Sequence, residues 1–187
     1  MSRPVTPYQR RARQAFAAAG AAAVLLAAGA TAIWWDAASG SPPDVSGPVA
    51  PGWAERAPDA ARIEIAGPDA RFVLQRGETG WVMPSRGGYP VRPERIAALD
   101  AALSSLTFER AMTRDPDKFD RLGLGDPNAG GEGVRLRVLD GSGAVLADLI
   151  AGDSRDDGSS VYIRPAGGAR AYAARGSLPE LADPGVW

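Results

Sequence analysis

The feature that most constrains this chain is an uncharged segment of 21 residues, Ala15 to Trp35. As an α-helix rising about 1.5 Å per residue it would extend about 31 Å, enough to cross the ~30 Å hydrocarbon core of a bilayer. Basic residues stand before it and the acidic Asp36 follows it, so the positive-inside rule predicts a cytoplasmic N-terminus. The residues flanking this predicted anchor are Arg10, Arg11 and Arg13 on the cytoplasmic side and Trp34 and Trp35 at the outer interface.

The same segment also has the marks of a cleavable signal. Eleven of its residues are Ala, and Ala30-Thr31-Ala32 is typical of a small-residue cleavage site after a short apolar region. An uncleaved signal anchor predicts a single-pass inner-membrane protein with a periplasmic C-terminal domain. Cleavage would instead release that domain with Ile33 at its N-terminus. Of the two, we expect the uncleaved anchor.

Composition excludes several kinds of chemistry. The chain has no Cys and no His, so it lacks disulfides, thiol catalysis, an imidazole base and the commonest metal ligand. From Asp36 onward, 17 basic and 22 acidic residues give a net charge of −5, which offers no electrostatic footprint for a phosphate backbone. We therefore expect a protein that is not an enzyme, with no cofactor, no metal site and no nucleic-acid partner.

Composition also divides the chain into four parts. A basic cytoplasmic tail, residues 1–14, precedes the predicted transmembrane helix, residues 15–35. Residues 36–61 are rich in Ala, Ser, Gly and Pro, which predicts a linker. Alternation of apolar and polar residues begins just after this stretch, so residues 62–187 are predicted to be the folded, exported domain.

The pattern within the predicted domain is typical of an α+β fold. Short alternating segments and an Asp140-Gly141 turn indicate a mainly antiparallel sheet. Pro93 suits the first position of a helix, and one apolar stripe follows it at helical spacing: Ile96, Leu99, Leu103 and Leu106. We expect the sheet to pack against this one principal helix, with a single N-terminal transmembrane helix preceding both.

Three local patterns suggest chemistry, and each has a simpler explanation. Gly152-Asp153-Ser154 resembles a nucleophile block, but the chain has no His to accept the Ser proton. The acidic stretch 153–157 suggests a Ca²⁺ loop, but Arg155 and Arg164 stand where an EF-hand needs oxygen ligands. The glycines of residues 130–133 lack the Lys-Ser/Thr of a phosphate-binding loop. Turns and solvated loops explain all three.

Tryptophans are the better candidates for contact. We expect Trp81, within a short strand, to lie in the core. Trp53, in the predicted linker, and Trp187, at the C-terminal end, are candidates either for contact with a partner or for docking on the edge of the domain itself. Arg135 and Arg137 alternate with apolar residues, so they are predicted to lie on the solvent-facing side of a strand.

Several short motifs follow one another through the predicted domain in a characteristic order. They are the Trp81 strand, Gly88-Tyr89-Pro90 before the helix, Leu122-Gly123-Leu124 leading to Asp126-Pro127, the Asp140-Gly141 turn, Gly152, Val161-Tyr162-Ile163-Arg164 and a closing Asp183-Pro184-Gly185-Val186-Trp187. Over residues 60–187 this series resembles the family known as domain of unknown function 4340. Members of that family are typically membrane-anchored and exported, and many are encoded beside ABC-type permeases and auxiliary subunits similar to those of gliding-motility systems. Many are longer than this chain.

The resemblance implies an accessory role and brings no catalytic residues with it. We therefore expect a membrane-tethered, non-enzymatic accessory domain of the bacterial envelope, whose partner is a membrane-protein complex of the ABC-transporter type. The alternative is a periplasmic binding module for an envelope glycan or lipid, using exposed aromatic side chains with Arg135 or Arg137. A pocket that combines aromatic rings with converging polar groups would favour the second reading.

Overall fold

The computed structural model describes residues 46–155 and 158–187. The described residues form ten strands: β1 Gly47–Pro48, β2 Ala60–Ala66, β3 Arg71–Gly77, β4 Gly80–Met83, β5 Tyr89–Pro90, β6 Thr107–Ala111, β7 Val134–Asp140, β8 Val145–Ser154, β9 Ser160–Pro165 and β10 Tyr172–Arg175. They also form two α-helices, α1 Trp53–Arg56 and α2 Pro93–Ser105. Short 3-10 turns occur at Ala57–Asp59, Pro84–Arg86, Pro116–Lys118, Asp120–Leu122 and Pro127–Ala129.

The described strands belong to one sheet in the order β1-β6-β10-β9-β8-β7-β2-β3-β4-β5, and every neighbouring pair is antiparallel. The predicted Asp140 turn is confirmed: the Asp140 carboxylate accepts the backbone N–H groups of Ser142 at 2.8 Å and Ala144 at 2.9 Å, closing the β7–β8 hairpin. The hydroxyl of Ser142 donates to the same carboxylate and, with those N–H groups, lowers the pKa of Asp140.

The predicted fold class of the domain, α+β with the sheet packed against one principal helix, is wrong. The described residues are dominated by the ten-stranded sheet, beside which α2 is one short helix of 13 residues and α1 has four. The prediction failed because β1, β5 and β6 carry too few alternating residues to indicate strands, and only pairing with distant partners makes them part of the sheet.

The N-terminal predictions lie outside the described residues. These are the cytoplasmic tail, the helix 15–35 and its flanking residues Arg10, Arg11, Arg13, Trp34 and Trp35. Among residues 46–155 and 158–187, no helix has both the length and the apolar composition needed to cross a membrane. The described part of the predicted linker, residues 46–61, contains β1, α1 and the beginning of β2.

The main core lies between one face of the sheet and α2. Ile63 and Ile65 of β2 alternate with polar neighbours and point into it, as strand periodicity requires. Leu99 and Leu103 of α2 pack on them and are almost completely buried, whereas Ile96 from the same predicted stripe is only partly buried. Leu106, the fourth residue of that stripe, is buried just after the helix has ended.

A second, smaller core lies on the opposite face of the sheet, where Ile150 packs with Phe119, Leu124 and Ala171. It is covered by a segment that we call the glycine-packed loop, residues 122–133, which contacts β8 backbone to backbone. A Cβ at Gly152 would overlap the Leu122 carbonyl oxygen and lie 3.0 Å from that of Gly123. Four glycines of the loop itself would also have Cβ contacts under 3.0 Å: Gly123 with Asp153, Gly125 and Gly131 with each other, and Gly133 with Ile150 and the Gly125 carbonyl oxygen. Only glycine permits this approach.

Candidate binding cleft

A cleft of about 600 Å³ opens beside α2 on the main-core side of the sheet. Its floor includes Ile63 of β2 and Val138 of β7. One wall is formed by α1 and the following 3-10 turn, the other by α2, and Trp81 of β4 lines it as well. Helix α2 borders the cleft with Ile96, Asp100 and Ser104. These residues are four positions apart, so they lie along one side of the helix.

Two hydrogen bonds join the elements that surround this cleft. The indole Nε1 of Trp53 on α1 donates to Oδ1 of Asp100 on α2 at 2.8 Å. The guanidinium of Arg76 on β3 donates through Nη1 to the Pro58 carbonyl oxygen at 2.5 Å and lies 5.7 Å from the centre of the Trp81 ring. The first bond ties the beginning of the segment 53–59 to α2, and the second ties its end to β3. Together they hold this wall of the cleft in place.

The lining of the cleft is mainly apolar and has only a few polar side chains. Most of it is apolar or aromatic, including both tryptophan rings, Pro58 and Pro93, while the charged and hydroxyl side chains are limited to Arg76, Asp100 and Ser104. A volume of several hundred cubic ångströms, an apolar lining and a few polar groups are typical of sites that hold small ligands.

Trp53 and Trp187, the two predicted contact residues, both pack on the domain itself. Trp53 is 5% exposed and belongs to the main core. Trp187 is 4% exposed; its Nε1 donates to the Leu181 carbonyl oxygen at 3.2 Å and its carbonyl accepts the Arg92 N–H at 3.0 Å. The Arg95 guanidinium lies 5.5 Å from its ring. Contact of either ring with a partner stays a prediction.

Trp81, which is predicted to lie in the core, lies at its edge and is only partly buried. The ring packs against the main core but remains half-buried, and it borders the cleft. It also lines a smaller neighbouring depression of about 280 Å³ together with Pro93 and Ile96. Trp81 therefore presents aromatic surface to solvent at two places.

Arg135 and Arg137 lie on the opposite face of the sheet from the cleft, partly exposed as predicted. Arg135 donates to Asp148 through Nε at 2.9 Å and Nη2 at 2.7 Å, a bidentate pair that raises the pKa of Arg135. Arg137 lies 3.8 Å from Glu64 and 3.5 Å from Asp148. Both guanidinium groups thus have carboxylate partners across neighbouring strands, and neither contributes to the cleft.

The other sequence patterns occupy structural positions. Ser154 of the Gly152-Asp153-Ser154 pattern is exposed at the end of β8. The glycines of residues 130–133 belong to the glycine-packed loop. In the acidic stretch 153–157, residues 156 and 157 lie outside the described residues. Among the described residues, no group of three or more carboxylates is arranged to hold a metal ion.

Sequence reasoning missed the polar residues of the cleft. In the sequence Arg76 stands beside Gly77, a combination typical of a turn, and Asp100 lies on the polar side of an amphipathic helix, where charged residues are ordinary. No local signal distinguishes either of them, because each one acquires its role from a partner far away in the chain: Pro58 for Arg76 and Trp53 for Asp100.

The motif series has a structural counterpart. Its glycines Gly123 and Gly152 meet where the glycine-packed loop contacts β8, and its closing Trp187 is buried against the main core. No curated protein and no solved structure matches the chain. A family model described as Domain of unknown function (DUF4340) matches residues 81–185, more than half of the 187 residues. As the order of its motifs predicted, the chain belongs to this family of domains of unknown function.

Proposed function

We propose that this chain is a membrane-tethered, non-enzymatic accessory protein of the bacterial envelope, and that its domain binds an envelope ligand in the cleft. The observation that carries the proposal is the cleft itself. It combines the Trp53 and Trp81 rings with three polar side chains in about 600 Å³, the pocket that a binding module requires.

The tether and its direction are carried by the N-terminal segment. The apolar stretch 15–35 is long enough to span a bilayer, and its basic flank favours a cytoplasmic N-terminus with the domain in the periplasm. The partnership with a membrane-protein complex of the ABC-permease type rests on the family resemblance. In this proposal, ligand binding by the domain serves that complex.

A non-enzymatic role agrees with the side chains available. The chain has neither His nor Cys, so acyl transfer through an imidazole-activated nucleophile has no base. Its single Lys118 pairs with Asp115, and hydrogen bonding to Lys118 lowers the pKa of that carboxyl group. Asp100 and Arg76 instead hold the walls of the cleft together through hydrogen bonds with Trp53 and Pro58.

Ligand binding is tested by native mass spectrometry of the full-length chain purified from cell membranes. We expect wild type to retain a bound molecule that an Ala97→Phe variant loses, because the new ring would occupy the cleft that Ala97 lines. Ala98→Phe is the matched control: Ala98 is exposed on the same helix and does not line the cleft. Equal retention by both variants would exclude the cleft as the site.

The tether and the complex are tested separately. After crosslinking in intact cells, we expect the full-length chain to remain in carbonate-washed membranes and to recover a membrane-protein complex. A chain found in the soluble periplasmic fraction, with Ile33 at its N-terminus, would refute the tether. Recovery of no membrane protein above background would refute the accessory role while leaving ligand binding intact.

A further inference from the structure

We infer that the cleft ligand is an anionic lipid, with an acyl chain along the apolar walls and its headgroup at Arg76. This inference rests on the proposed function of the cleft as a ligand site. It narrows that function from any envelope ligand to one chemical class.

The lining favours an acyl chain over a glycan. A sugar bound against Pro58, Ile96 and Ala97 would bury hydroxyl groups that these side chains cannot hydrogen-bond. Each buried, unpaired hydroxyl is costly, whereas methylene groups gain from burial against the same surface. Because the polar lining is confined to three side chains, a molecule with one long apolar part and one polar end matches it best.

Arg76 is the group that can hold an anionic headgroup. Its Nη1 donates to Pro58, and among the described residues it has no carboxylate within ion-pair distance. Residue 76 is exposed, so a phosphate can approach it without displacing a carboxylate. Guanidinium groups suit phosphate because their N–H groups match its oxygens in pairs. By contrast, Arg135 and Arg137 are already paired with carboxylates.

Asp100 provides the opposite charge elsewhere in the lining and therefore orients the ligand. Its Oδ1 is held by the Trp53 indole at 2.8 Å, so the carboxylate keeps its position and repels a phosphate from that part of the cleft. An anionic lipid is thus directed with its headgroup towards Arg76 and away from Asp100.

The length of chain before the domain is compatible with a lipid source in the membrane. The predicted span ends at Trp35 and β1 begins at Gly47, so 11 residues lie between them. Fully extended, they reach at most about 40 Å. Helix α1, which forms one wall of the cleft, is the first helix after β1 in the described residues. The tether therefore keeps this wall within a bounded distance of the bilayer surface.

The experiment uses the full-length chain in lipid nanodiscs of phosphatidylcholine. One sample receives a trace of phosphatidylglycerol that carries a diazirine in its acyl chain. A parallel sample receives phosphatidylcholine with the same diazirine chain. After irradiation, labelled residues are identified by mass spectrometry. We expect phosphatidylglycerol to label the cleft walls, residues 53–60 and 96–104, more strongly than phosphatidylcholine does. Ala97→Phe should abolish this labelling, and Ala98→Phe should retain it.

Two charge variants test the orientation of the headgroup. Arg76→Gln should reduce phosphatidylglycerol labelling of the cleft about fivefold, the effect of one arginine beside an anionic headgroup. Asp100→Asn keeps an acceptor for the Trp53 indole but removes the negative charge, so labelling should increase. Circular dichroism of each variant checks that the fold is retained. A nonspecific loss of structure would reduce labelling in both variants. A decrease in Arg76→Gln together with an increase in Asp100→Asn therefore indicates a headgroup at Arg76.

Three results would overturn the inference. In the first, labelling is confined to residues before 46. In the second, Ala97→Phe does not reduce labelling of the cleft. In the third, the two lipids label the cleft equally, both in wild type and in Arg76→Gln. If the mass-spectrometry experiment on purified protein finds a glycan or peptide in the cleft, the lipid inference fails and the proposed binding function stands. If it finds no ligand that depends on the cleft, the proposed function itself fails.

Discussion

The two faces of the sheet are covered in opposite ways. On one face, α1 and α2 stand on the main core, joined by the Trp53–Asp100 hydrogen bond, and a cleft of about 600 Å³ remains beside them. On the other face, the glycine-packed loop approaches β8 so closely that a methyl group at Gly152 would overlap a carbonyl oxygen. One covering is made by large side chains, the other by backbone.

The difference follows from what fills the space between layers. Bulky side chains such as Trp53 hold two elements apart and leave room between them, whereas glycines let two backbones touch. The first arrangement leaves the cleft of about 600 Å³. The second is suited to fixing a loop, and the buried Arg164 contributes there by donating to the Leu124 carbonyl oxygen at 3.3 Å and lying 4.7 Å from the Phe119 ring.

Deleting atoms from the cleft wall should have the largest effect. Trp53→Ala removes a ring that is 5% exposed and is expected to lower the free energy of unfolding by roughly 3–5 kcal/mol. Trp53→Phe is the control, since it keeps a ring but loses the Nε1 donor to Asp100, and should cost about 1–2 kcal/mol. Chemical denaturation of the full-length chain in mild detergent measures both. A cost for the Ala variant below about 1 kcal/mol, the size of an average substitution, would mean that Trp53 does not support the wall.

Adding atoms to the glycine-packed loop should have the next largest effect. Gly152→Ala is expected to cost about 3 kcal/mol, because the new methyl group cannot fit beside Leu122 without moving backbone. Gly141→Ala is the matched control: the nearest atom to its Cβ would be 4.0 Å away, so stability should change by less than about 0.5 kcal/mol. Equal denaturation midpoints for the two variants would show that the loop is not packed in this way.

Adding atoms to the cleft should have little effect. Ala97→Leu places a larger side chain in open space and should leave the free energy of unfolding within about 0.5 kcal/mol of wild type. Ala102→Leu, on the buried side of the same helix, should cost about 1–3 kcal/mol through overpacking. The same denaturation series compares them. A large cost at Ala97 would remove the contrast between the open face and the filled face.

The smallest expected effect is on the pH dependence of stability, through Asp140 in the β7–β8 hairpin. The two strands of this hairpin contribute side chains to both faces of the sheet. Hydrogen bonds from Ser142 and Ala144 lower the pKa of Asp140 in the folded state. Its contribution to stability is therefore full above the unfolded value of about 3.9 and is lost as the pH falls through the lower folded pKa. We expect the difference in Tm between wild type and Asp140→Ala to be constant near neutral pH and to shrink below about pH 4. A difference that grows on acidification would contradict this assignment.

Local signals predicted the elements whose stability is local. The Asp140 hairpin and the start of α2 at Pro93 are both found, since turn chemistry and helix-start preference act within a few residues. The two-residue strands β1 and β5 were not predicted, and the fold class was wrong because the ten-stranded sheet, not one principal helix, dominates the described residues. Their pairing with β6 and β4 depends on neighbours that the surrounding sequence does not indicate.

The sequence alone determined the family of this chain and the chemistry that it lacks, since motif order and the absence of His and Cys depend only on which residues are present. Tertiary structure decided where the candidate site lies. The Trp53–Asp100 contact joins residues 47 positions apart, and Arg76 reaches Pro58 across 18. Trp53 stands in a stretch with the composition of a linker, and it becomes a wall of the cleft only because α2 packs beside it. A cleft between distant elements is a property of that packing, which no short stretch of sequence encodes.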